Sequence, residues 1–184
     1  MSGRYQAPRL TLPVGVRDHV EGSSDAPLVL VEYGDYQCPY CGAAYPIVKR
    51  IQKTLGTRLR FVFRNFPITN AHPQAMWAAE TAEASAAQGK FWEMHDFLYE
   101  HQASLGDEAF FTRFERRLKL DVHQLEREMS QHAHADRIQE DFMSGVRSGV
   151  NGTPTFFING VRYDGYPEFA PLVAALQAAE KGSR

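Results

Sequence analysis

Two cysteines stand in this chain, Cys38 and Cys41, separated by Pro39 and Tyr40 in the stretch GDYQCPYCGAAYP. Sulfurs at that spacing suit a metal clip, a structural cross-link, or a dithiol that cycles with its disulfide. A cross-link over two residues closes a tiny ring and removes little chain entropy, so it stabilises far less than a bridge across a long loop. Structural zinc wants four ligands, and the other candidates are scattered histidines. His132 and His134, in QHAHAD, lie two apart, and such positions on a helix do not face each other. No metal is expected. A working redox pair is the remaining chemistry, and it requires a position that favours thiolate over thiol.

The flanking elements supply one. APLVLVEYGDY is a short apolar run ended by Gly34 and Asp35, which reads as a buried strand. From Pro39 to Gly56 the apolar residues fall at helical spacing, with Pro46 expected to bend the helix. In RLRFVFRNFP, Leu59, Phe61 and Phe63 alternate with Arg60, Val62 and Arg64, a second strand closed by Pro67. Strand, helix and strand of these lengths make a βαβ unit with parallel strands. Cys38 then sits where strand gives way to helix, because proline is favoured at the first helical position. There the unpaired amides and the positive end of the helix dipole lower a thiol pKa from about 8.5. Cys41 lies one turn on, within the ~5.5 Å Cα separation of a disulfide. A CxxC so placed reads as a thioredoxin-like site in which Cys38 attacks and Cys41 resolves.

The rest of the chain is helical from about His72 to Arg147. HPQAMWAAETAEASAAQGKFWEMHDFLYEHQ should give two helices divided at Gly89. Asp107 opens a further helix, and Asp121 with Gln124 resembles a capping box before HQLEREMSQHAHADRIQEDF. Trp77, Phe91, Trp92 and Phe97 are expected in the core of these helices. Arg64 is a candidate anchor for a local acid, and His72 before Pro73 is expected to start a helix, with contact to the active-site surface as the alternative. After SGVNG the pattern returns to strand in TPTFFING, where Asn159-Gly160 signals a two-residue hairpin into VRYDGY. PEFAPLVAALQAAEKG closes the chain as an amphipathic helix. At 184 residues and 43% hydrophobic, the chain can bury one good core. A net charge of −2 with both signs interspersed gives no footprint for nucleic acid or an anionic membrane.

From about Asp25 onward the chain resembles the DsbA-like branch of the thioredoxin superfamily. VEYGDYQCPYC, FRNFPI, the HPQAMWAAETAEASAAQGKFWEMHDFLYEHQ block and TPTFFING carry the likeness. CPYC alone would also resemble glutaredoxins, and the long helical block favours the DsbA-like pattern. The resemblance implies an α/β, thioredoxin-like fold, a central mixed sheet flanked by helices, with an inserted α-helical domain. Residues 1–26 would be an N-terminal extension, 27–70 and 148–184 the two halves of the thioredoxin fold, and 71–147 the insertion. By the same resemblance Cys38 is the exposed nucleophile and Cys41 the buried resolving thiol. Pro154, preceded by Thr153, matches the cis-proline that holds a substrate backbone beside the reactive sulfur. Glu32 matches the buried acid that accepts a proton near the resolving cysteine. A plain alternative for Glu32 is an edge strand with the carboxylate in water. Tyr40 and Pro39, inside the motif, are expected to tune the pair and touch substrates.

The function expected is thiol-disulfide exchange with protein substrates or small thiols such as glutathione, with a redox partner that recycles the dithiol and no organic cofactor. The N-terminal residues lack the apolar core of a secretory signal and no run approaches the ~20 residues that span a bilayer, so a soluble, cytoplasmic protein acting as a reductase is expected, with a periplasmic or extracellular place the alternative if a signal was removed from this chain. Two alternatives are a glutathione-dependent transferase or isomerase of the thioredoxin-plus-helices type, for which the second cysteine is superfluous, and a non-catalytic binding module.

Overall fold

The structure, a computed structural model, describes residues 7–182. The first six residues of the expected extension, where the stretch read for a leader begins, lie outside the described residues. Five strands form one sheet in the order β1-β3-β2-β4-β5, with β1 at His19–Glu21, β2 at Leu28–Gly34, β3 at Leu59–Asn65, β4 at Thr155–Ile158 and β5 at Val161–Tyr163. β2 and β3 are parallel and are joined by α1 (Pro39–Leu55), because a parallel pair needs a crossover. β4 runs antiparallel to β2, pairing Leu30 with Ile158 and Tyr33 with Thr155. β5 returns through Asn159-Gly160, whose φ values of 46° and 79° suit the tight hairpin turn that such strands require.

Side chains alternate across β2, and that alternation divides the core. Leu28 and Leu30 pack with Val48 and Ile51 of α1 on one face, while Val31 and Tyr33 join Val62, Phe66 and Phe157 on the other. The buried positions of α1, Cys41, Ala44, Val48, Ile51 and Leu55, form one stripe at helical spacing. Between β3 and β4 the chain builds α2 (Ala75–Ala86), α3 (Phe91–Glu100), α4 (Glu108–Arg117), α5 (Val122–Ser130) and α6 (Ala135–Arg147), and α7 (Phe169–Gly182) ends it. Phe91 and Phe97 are buried, and Trp77 and Trp92 pack half-buried against them.

Three local features differ from the sequence pattern. β1 was not anticipated, since His-Val-Glu is short and carries no alternation; it is held by its pairing to β3 and by the His19 ring, stacked 3.5 Å from that of Phe91. The long helical stretch after Asp121 is two helices, split where His132 turns to φ 50° and Ala133 donates its N–H back to the Glu128 carbonyl, a left-handed helix stop. The capping box is half formed. Asp121 accepts from the Gln124 amide at 3.0 Å, but the Gln124 side chain turns to Glu128 and the Asp121 amide donates to Gln88.

Arg64 is wholly buried rather than alternating with the apolar face of β3. Its guanidinium grips both oxygens of Asp18 at 2.8 and 3.1 Å and also donates to Tyr33, to the Leu12 carbonyl and to that of Pro13. All five of its donors are thereby used, which is what a buried guanidinium needs. Burial pushes the Asp18 carboxyl up, but the Arg64 hydrogen bonds and charge outweigh it and leave the group below its ordinary value.

Candidate active site

Cys38 is the N-cap of α1, with Pro39 at the first helical position and the Cys38 carbonyl accepting the Gly42 amide at 3.1 Å. The Cys38 thiol is pulled down to about 5. The main cause is the hydrogen bond offered by the Cys41 thiol; burial works against it, and Thr153 with the backbone amides of Cys41 and Tyr40 adds to it. A sulfur at a helix start sees the unpaired N–H groups of the first turn, so negative charge is favoured there.

The expected exposure of Cys38 needs correction, because the residue is only 3% exposed. The loop before β4 covers it, bringing the Thr153 carbonyl oxygen to 3.3 Å from the sulfur. Pro39 and Tyr40 form the open rim instead, with Tyr40 74% exposed. The Thr153–Pro154 peptide bond is cis, and the Thr153 hydroxyl is buried with no hydrogen-bond partner among the described residues.

Cys41 is fully buried one turn further on, and its sulfur accepts the Asp35 amide at 3.4 Å. Burial pushes this thiol well up, with Cys38 and Glu32 adding to the shift, so the two sulfurs are driven in opposite directions. Both are free thiols here. Glu32 lies on β2, flanked by Phe63 of β3 and Phe156 of β4, and is 2% exposed. The solvent-facing alternative is therefore excluded by strand order. Burial, followed by the charge on Cys38, raises its carboxyl to about 8, and its Oε1 has no partner among the described residues.

Asp35 and Gln102 complete the site without having been singled out for it, and His72 takes its alternative reading as well as the expected one. The Asp35 carboxylate accepts from the Gln37 amide at 2.8 Å, the Ile68 amide at 2.8 Å and His72 Nδ1 at 2.7 Å. His72 does start the turn into α2, its carbonyl accepting the Ala75 amide, but its ring is also part of this cluster. Gln102, in the short turn after α3, donates to the carbonyls of Tyr36 at 2.7 Å and Cys38 at 3.0 Å. The insertion thus holds the motif loop in place. GD ahead of CPYC was a usable signal for Asp35, since Asp at a strand end commonly caps following amides; nothing local marks Gln102.

The model of a family described as thioredoxin matches residues 15–178. The sodium/proton antiporter NhaA 1 of Salinispora arenicola is 45% identical over 168 residues, which are 91% of this chain and 26% of that protein. The chain thus spans about a quarter of the length of the curated relatives it matches. Among solved structures, a thioredoxin-like oxidoreductase from Silicibacter pomeroyi is 29% identical with a TM-score of 0.78, covering 91% of this chain and 94% of the other. Oxidised BdbD of Bacillus subtilis superposes with a TM-score of 0.80 at 22% identity, covering 96% and 97%.

Proposed function

The chain belongs to the thioredoxin family, with the helical insertion of its DsbA-like branch, and from that membership we propose that it is a thiol-disulfide oxidoreductase working through Cys38 and Cys41. The observation that carries this reading is the opposed pull on two neighbouring sulfurs, one down to about 5 at the helix start and one up in the core. The Cys38 thiolate attacks a substrate disulfide, an S–S bond forms between Cys38 and one substrate sulfur, and the other sulfur leaves as thiolate. Cys41 then gives its proton to Glu32 and attacks Cys38, releasing the second substrate sulfur. Two electrons pass from the dithiol to the substrate, and the reverse sequence oxidises a substrate dithiol. Thr153 and Pro154 border the sulfur where the substrate backbone would lie, and Pro39 with Tyr40 forms the rim it would cross. Substrate proteins or small thiols such as glutathione are the proposed partners, with a second redox protein recycling the pair.

Direction follows from the pKa. A thiolate stabilised in the dithiol form makes the couple more oxidising than a pair whose attacking thiol keeps its ordinary value. That favours disulfide donation over the reductase role expected from sequence. A measured potential bears on place as well: one of roughly −180 mV or above suits a compartment more oxidising than the cytoplasm, whereas one below about −220 mV suits the cytoplasmic placement. Transport is not carried over from the antiporter relatives, because the match covers about a quarter of them and no described helix is long and apolar enough to cross a membrane.

Equilibration with graded glutathione buffers, read by alkylation mass shifts, measures the potential. Exchange activity should vanish in Cys38→Ser, and full activity in that variant would overturn the proposed mechanism. A transferase of the thioredoxin-plus-helices type would instead keep its turnover in Cys41→Ser.

A further inference from the structure

The face of β2 that carries Glu32 also carries Gly34, two residues on, and the place of the missing Cβ is shared by a β3 ring and a side chain from the insertion. The Phe63 ring stands nearest to where that Cβ would be, and the hydroxyl of Tyr99, on α3, lies 2.8 Å from the same point. A Cβ at position 34 would meet both the Phe63 ring and the Tyr99 hydroxyl, so only glycine fits there. The Tyr99 hydroxyl is buried and has no partner among the described residues, and the same is true of Glu32 Oε1. A buried O–H without a partner is destabilising, as is a buried carboxyl oxygen, so two of them on one strand face require an explanation.

The charged state of the site provides it. Resting on the exchange reading above, we propose that Tyr99 is a positioning residue for the resolving step, its hydroxyl donating to the negative charge that passes between Glu32 and Cys41. Before the step that charge is on Glu32 in its ionised fraction, which grows as pH rises through about 8; when Cys41 gives up its S–H proton to Glu32, the charge moves to the Cys41 sulfur. It leaves Cys41 as the Cys41–Cys38 bond forms and the substrate sulfur departs as thiolate. Tyr99 keeps its own proton throughout, in accord with a phenol driven well above its ordinary value, first by burial and then by the charges on Cys41 and Glu32.

The titratable groups around Tyr99 are Cys41 and Tyr45 on α1, Glu32 on β2, Asp35 and Tyr36 in the loop, and His95 on its own helix. Three of these are already engaged: Tyr36 and His95 with each other at 3.1 Å, and Asp35 with His72 and two amides. Tyr45 donates to Glu100. Among the described residues Tyr99 thus offers an uncommitted O–H at Gly34, on the strand face of Glu32 and within reach of the charges on Cys41 and Glu32, and it ties the thioredoxin half to the insertion.

The test is a single-turnover reaction of the reduced protein with a nitrophenyl disulfide whose leaving thiolate is coloured. The first release of colour reports attack by Cys38 and the second reports resolution by Cys41. Tyr99→Phe keeps the ring and removes only the donor. It should leave the first release unchanged, slow the second about tenfold at neutral pH, and move its half-rise up by about one pH unit. Site-specific 3-fluorotyrosine at position 99, a stronger donor of the same shape, should speed the second release. An unchanged second release and pH profile in both variants would overturn the role of Tyr99. Failure of the unsubstituted protein to give any first release would instead remove the exchange reading on which that role rests.

Discussion

The Cys38 sulfur and the Thr153 carbonyl oxygen meet at 3.3 Å although 115 residues of chain separate them. The Thr153 hydroxyl, buried and unpartnered, is close enough to help hold the thiolate. Thr153→Val should therefore raise the Cys38 midpoint from about 5 by up to roughly one unit, read as thiolate absorbance against pH. A midpoint unmoved by the substitution would leave the Cys41 thiol and the helix amides as the whole cause.

Reduced and oxidised forms should differ in how stability varies with pH. The folded Cys38 thiol lies below its unfolded value, so its contribution is fully present above about 9 and is lost as pH falls through about 5. Urea melts of the two forms should show the reduced protein gaining on the oxidised one as pH rises through that window. Equal slopes would mean that the thiolate is not selectively held by the fold.

Glu32 has the opposite sign. Its carboxyl is raised from 4.5 to about 8, so the folded state binds the extra proton and loses stability as pH rises through that range. Glu32→Gln should remove this slope and stabilise the protein by roughly 2–4 kcal/mol at alkaline pH, while slowing the Cys41 step about tenfold to a hundredfold. A variant that is stabilised yet resolves at the normal rate would strip Glu32 of its proton-transfer role.

Arg64→Met should be severe, because it leaves Asp18 buried and unpaired at a cost of roughly 3–5 kcal/mol. The double variant with Asp18→Leu should recover most of that loss in chemical denaturation. Additive losses would show that the two residues do not act as a pair.

The site was legible in the sequence wherever one residue type has a narrow range of uses. Cys38, Pro39 and Cys41 mark a helix start by themselves, and Asn159-Gly160 marks a turn. A carboxylate inside LVLVEY had two readings until strand order placed β2 between β3 and β4. Gln102 and Tyr99 were hidden, and His72 was only an alternative, for another reason. Each acts on a segment distant in sequence, through a contact that only the packing of the insertion creates. The covering of Cys38 belongs to the same class, since it depends on the loop before β4.

The insertion between β3 and β4 also sets an order of assembly. β2 must wait for β4 before its second edge is paired, and a long-range pairing of this kind forms late. During synthesis at ~5–20 residues per second, the 115 residues between Cys38 and Thr153 take roughly 6–23 s to appear. For that interval the nascent chain carries its dithiol motif without the loop that later shields it. The vulnerable period for misdirected oxidation is therefore written into the topology, and it closes only when the last strands join the sheet.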